Sequence, residues 1–203
     1  MRRKLMSSFS LAILGMALLA ADAVAQVPCS GHKLLSTPRP EASCSNLKPA
    51  VYPSPDGTLR ALVLPVDVSL HATPDMESRV VIRTGKGDTL TSKDYSSPRG
   101  ANGYYVVSAK WSPDSQFFVY SLSSSGGHSP WSYPMAVYSR AKNQIAKLSD
   151  MINGNPTVSG DFNLTGPHTV VASTWKQPGS LDDKVPVTVD LADAFGKLPP
   201  SAD

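Results

Sequence analysis

The sequence predicts an all-β protein of antiparallel strands arranged in repeats, and three observations carry that expectation. Proline and glycine number 18 and 14 among 203 residues. No proline precedes Pro28, so everything beyond the first segment is dense in turns and hostile to long helices. Apolar runs in that region are short and rich in β-branched and aromatic residues, which suits strands. The turn-and-strand pattern also returns at a spacing of roughly 50 residues, and internal repetition of that period marks stacked or radially arranged sheets.

The repeat is clearest in residues 51–63 and 107–121, each of which reads strand, tight turn, strand. Ser54-Pro55-Asp56-Gly57 and Ser112-Pro113-Asp114-Ser115 carry a proline that presets φ and an aspartate able to cap nearby N–H groups. Strands are expected to follow at residues 59–64 and 117–120. A weaker third copy has Phe162 in the place of Trp111 and continues as strand through Thr169, Val170 and Val171, without the Pro-Asp pair. After each copy a long loop and a further strand, ending in a polar turn and a leucine, are expected within residues 79–90, 135–148 and 185–198.

The Ser-Pro-Asp-Gly turn before an apolar strand, followed by a strand ending near Thr84-Gly85-Lys86, resembles the WD-type repeat of the TolB-like β-propellers. The likeness covers residues 50–148 well and 157–198 poorly. It implies propeller-like repeats, about three blade-like units in which the turn joins a blade's first and second strands, and it implies no catalysis by the turn residues. Propellers close with four to eight blades. Three copies therefore suggest an incomplete ring, a curved sandwich, a homodimer whose two chains complete one ring, or extra strands supplied by the N-terminal piece. Residues 50–203 are the expected β-repeat domain.

Residues 1–25 read as a signal peptide. Arg2, Arg3 and Lys4 precede a short apolar run, and Ala23-Val24-Ala25 supplies the small residues of a cleavage site. The run is too short to span a bilayer, and no later stretch qualifies, so no membrane span is expected. Cys29 and Cys44 are the only cysteines, in a chain bound for an oxidising compartment, periplasmic or secreted. They are expected to pair and staple residues 26–49, closing a loop of about 15 residues worth on the order of 3 kcal/mol. Pro28 stands where a lipoprotein signal wants a small residue, which argues against acylation of Cys29. The formal charge of +3 falls nearly to neutral once the basic leader is removed, so no broad cationic field is left for nucleic acid.

Chemistry-bearing residues are sparse. His32, His71, His128 and His168 share no metal-ligand spacing. His71 and His128 fall in equivalent loops, and with Asp75 and the loop 174–184 they could approach one another at one end of the fold. No metal and no cofactor is expected. The loop 121–134 joins mobile Ser and Gly residues to the flat amphipathic side chains of Trp131 and Tyr133, the composition of recognition loops on rigid β scaffolds. Trp175 occupies the equivalent place in the third repeat. The expectation is a non-catalytic module that binds a protein or cell-envelope component through His128, Trp131, Tyr133 and Trp175. The same aromatics could instead fold back and plug the core. Two other classes stay open: a hydrolase using His128 with a nearby Ser or Asp, and a purely structural envelope protein. The polar, glycine-bearing stretch 91–103 reads as a long flexible connection.

Overall fold

The computed structural model describes residues 49–66, 77–98, 102–126, 132–152, 154, 156–176 and 183–198. All belong to the second of the chain's two units, residues 31–203. The signal peptide and the Cys29–Cys44 staple lie outside the described residues.

The described chain forms three antiparallel sheets in sequence order. The first contains β1 (Ala50–Pro53), β2 (Leu59–Pro65), β3 (Ser78–Thr84) and β4 (Thr89–Asp94), and the second β5 (Tyr104–Trp111), β6 (Phe117–Ser124), β7 (Met135–Ser139) and β8 (Gln144–Lys147). Both run up and down with consecutive strands paired, and a one-turn helix α1 (Leu148–Met151) follows the second. The third sheet has the order β11-β10-β9, with β9 at Asn163–Thr165, β10 at Thr169–Trp175 and β11 at Lys184–Asp190. These are three blade-like units, not joined into a barrel.

The expected turns connect β1 to β2 and β5 to β6, and their chemistry is the same. Ser54 Oγ donates to Asp56 Oδ1 at 2.6 Å and accepts the Leu59 N–H at 3.0 Å. Ser112 Oγ donates to Asp114 Oδ1 at 2.5 Å and accepts the Phe117 N–H at 2.9 Å. The fourth turn residue is left-handed in both, at φ 71° for Gly57 and φ 63° for Ser115. A serine in that conformation is strained where glycine is not. It is held because the Ser115 side chain is buried and its Oγ accepts the Asp56 N–H of the first turn at 3.0 Å.

The last strand expected of the third repeat is β11, but a helix stands where a polar turn was expected after it. β11 ends at Asp190, which accepts the Asp193 N–H and caps α2 (Leu191–Lys197). Leu191 and Phe195, four apart, place their side chains on one face of this helix and in the core. Lys197 closes the last turn on Asp193 at 2.6 Å. This local capping chemistry outcompetes a fourth strand. β11 is left as an outer strand, with Pro186 within it.

The second sheet is the middle layer. Successive residues of β6 alternate between two core clusters. Phe118, Tyr120 and Leu122 meet Leu59, Ala61, Val80 and Ile82 of the first sheet, while Phe117 and Val119 meet Phe162, Val170, Val189 and Phe195 of the third sheet and α2. Trp111 Nε1 donates to the Tyr52 carbonyl at 2.8 Å, so the buried indole stays hydrogen-bonded. Sheets are tied at the turn end by charge as well. Arg140 reaches Asp56 at 2.6 Å, and His168 lies between Asp190 Oδ2 at 3.1 Å and Asp114 Oδ2 at 3.7 Å.

Ser112 is fully buried and serves as both donor and acceptor in its turn. Ser112→Ala is expected to lower the stability of the protein by about 1–3 kcal/mol, because the buried Phe117 N–H loses a partner. Urea unfolding followed by tryptophan fluorescence checks this, with a midpoint equal to that of the parent as the contrary result.

Candidate functional site at the loop end

The long connections of the first two sheets meet at the end opposite the turns, and a carboxylate joins them. Glu77, the last residue of the β2–β3 connection, is 1% exposed. It accepts the Ser97 N–H and the Gly103 N–H at 2.5 Å each, the Ser97 hydroxyl at 2.9 Å, and the hydroxyl of Ser125, which opens the β6–β7 connection, at 2.7 Å. Burial works to raise the Glu77 carboxyl. The hydrogen bonds from Ser125, Ser97 and Gly103 outweigh it and hold the group below its ordinary value. The described part of stretch 91–103 is therefore fixed, not a flexible connection. Residues 91–94 belong to β4, and the Tyr95 hydroxyl lies 2.7 Å from that of buried Tyr120. Burial pushes the Tyr95 phenol up to about 12, partly offset by that contact, so it stays neutral over the physiological range.

The third sheet reaches the same end. The Tyr133 N–H donates to the Thr157 carbonyl at 3.0 Å, and the Thr157 hydroxyl donates back to the Tyr133 carbonyl. Thr157 in turn bridges Thr174, near the end of β10. The β6–β7 connection is thus laced to the outgoing end of β10, one residue before Trp175.

Of the residues picked out by sequence, Tyr133 and Trp175 are described, while His128, Trp131, His71 and Asp75 lie outside the described residues. Tyr133 is half-buried, and a Cβ on Gly160 would fall 3.3 Å from its ring and 3.2 Å from Val107, so tyrosine and valine converge over that glycine. Trp175 is only 9% exposed, with Lys184 Nζ 5.7 Å from its ring centroid. The two are linked through the backbone, but Trp175 is covered, as a plug would be.

Sequence reasoning passed over two exposed apolar residues of the second sheet. Val107 is 48% and Tyr104 37% exposed, both on β5, the edge strand of the second sheet. The pairing of β5 with β6 shifts register between Val106 and Ser108, and that bulge re-aims Val107. The unbroken run Tyr104-Tyr105-Val106-Val107 held a signal, since four apolar residues on an edge strand cannot all face inward. Glu77 and Gly103 had none, because the donors to the carboxylate, backbone N–H groups and serine hydroxyls alike, lie 20 or more residues away.

Among the described residues no group of three or more His, Cys, Asp or Glu side chains could hold a metal ion. No helix among them is long and apolar enough to cross a membrane. Compared with known proteins, the chain matches no family model and has no significant match among curated proteins.

Two predictions follow from the carboxylate hub. A Cβ at Gly103 would lie 2.5 Å from Glu77 Cδ, closer than real contacts allow. Gly103→Ala is therefore expected to destabilise by about 1–3 kcal/mol through loss of hydrogen bonds to Glu77, and equal melting of variant and parent would contradict it. Glu77 is depressed in the folded state from an ordinary 4.5. Its stabilisation is complete above about pH 4.5 and is lost as pH falls through the folded value. Glu77→Gln should be less stable at pH 7 and show a shallower further loss on acidification. Parallel stability profiles for parent and variant from pH 7 to pH 3 would rule this out.

Proposed function

We propose that the protein is an exported, non-catalytic binding module, built on an incomplete set of TolB-like propeller repeats, whose partner is a protein or cell-envelope component. Export rests on the tripartite leader of residues 1–25. The single observation that carries the binding reading is the lacing of the long connections at one end through Glu77 and through Tyr133–Thr157, beside an exposed apolar strip at Tyr104 and Val107. Loops fixed to a rigid sheet lose little freedom when they bind, and aromatic faces there supply contact area at low entropic cost.

In this reading the aromatic residues take different roles. Tyr133, beside Val107, belongs to the contact surface, and the adjoining Trp131 is the further sequence candidate. Trp175, being covered, supports the surface from below.

The test is affinity capture from the cell-envelope fraction with the processed chain as bait. Tyr104→Ser and Val107→Ser change exposed side chains and should leave the melting temperature within about 2 °C, since surface substitutions cost little. Together with Trp131→Ala they are expected to abolish capture of the partner retained by the parent. Undiminished capture by the triple variant would refute the reading, whereas Trp175→Ala should act mainly on stability.

A further inference from the structure

One pair of charges in the first sheet has no counterpart. Arg60 on β2 and Arg83 on β3 stand opposite each other in register. They lie on the face pointing away from the second sheet, since their chain neighbours Leu59, Ala61 and Ile82 fill the core between the sheets. Like charges directly opposed on a ladder repel. Four positions along β3 the same face solves the problem, with Arg79 bound to Asp94 through Nε at 3.0 Å and Nη2 at 2.5 Å. Arg60 and Arg83 make no ion pair with any described residue. The Nε of Arg83 is buried without a hydrogen-bond partner, which is costly unless an acceptor arrives.

Between this pair and Arg79 lie Leu62 and Val81, cross-strand partners 8% and 5% exposed that belong to neither core cluster. Val51, 52% exposed, pairs with Leu62 from edge strand β1. Counting from the serine of each turn, the equivalents of Arg60 and Leu62 in the second sheet are Phe118 and Tyr120, which the first sheet covers. The outer face of the first sheet thus has the form of a covered surface, with an apolar middle and a cationic margin in place of aromatic rings.

We infer that this face is covered by the chain's own residues 31–48, with the Glu41 carboxylate between Arg60 and Arg83 and the leucines of that segment over Leu62 and Val81. Glu41 is the only acidic residue of the segment, which also carries Leu34, Leu35 and Leu47 and runs directly into β1. The stretch from Glu41 to Ala50 reaches up to roughly 30 Å. Crossing from β1 to β3 takes about 10 Å, so the carboxylate arrives without strain. A cover of this kind ends the stack at the first sheet and leaves no open face there for a second copy.

A double-mutant cycle on the processed chain tests this by urea unfolding of Glu41→Gln, Arg83→Gln and the combination. The contact predicts that each single change lowers the midpoint and that the double variant falls no further than the worse single one. Arg60→Gln, at an exposed position, closes the same cycle if the Arg83 variants do not fold. Strictly additive losses, or a Glu41→Gln protein identical to the parent, overturn the inference. Sedimentation distinguishes the other occupant: a parent dimer that Arg83→Gln converts to monomer would assign the face to a second copy and overturn it equally.

Discussion

The structure depends on one sheet being apolar on both faces. Phe117 and Val119 of β6 point to the third sheet while Phe118, Tyr120 and Leu122 point to the first, and Met135 and Val137 alternate with Ala136 and Tyr138 in the same way on β7. Strands buried on both faces lose the alternation of polar and apolar residues and read as continuous apolar runs. Each buried aromatic contributes roughly 1.5–3 kcal/mol only while its cover is in place. The middle sheet therefore requires both neighbours, and the repeats fold as an array rather than as separable pieces.

The two ends of that array are held by different physics. At the turn end, serine and aspartate satisfy local N–H groups, and Arg140 and His168 carry the connection from sheet to sheet. The Asp56 carboxyl is held well below the usual range by hydrogen bonds from Ser54, Arg140 and Thr58. At the loop end a buried carboxylate, without a cation among the described residues, gathers N–H and hydroxyl donors from two other connections. The first arrangement recurs in two turns and is built on buried serines, and the second is a single buried carboxylate.

These differences decide what could be read in advance. The two Ser-Pro-Asp turns were legible because their chemistry is contained in a few consecutive residues, and Phe162 and β10 were legible by alignment to Trp111 and β6. The last strand of the third repeat was legible as β11, whereas the polar turn expected after it is a helix, because the Asp190 cap and the spacing of Leu191 and Phe195 favour one that the alignment did not weigh. Glu77 was invisible, since its backbone and serine donors lie 20 or more residues away and form no local motif. Trp175 illustrates a further limit. A tryptophan near a strand end serves equally as plug or as contact, and only the neighbouring packing separates the two.

Pro186 lies within the outer strand β11, paired inward with Ser173. A proline has no N–H to offer an incoming strand, and Lys184 and Asp190 flank it with opposite charges. The open border of the third sheet is thereby closed to sheet extension. Growth into fibres from that border is discouraged.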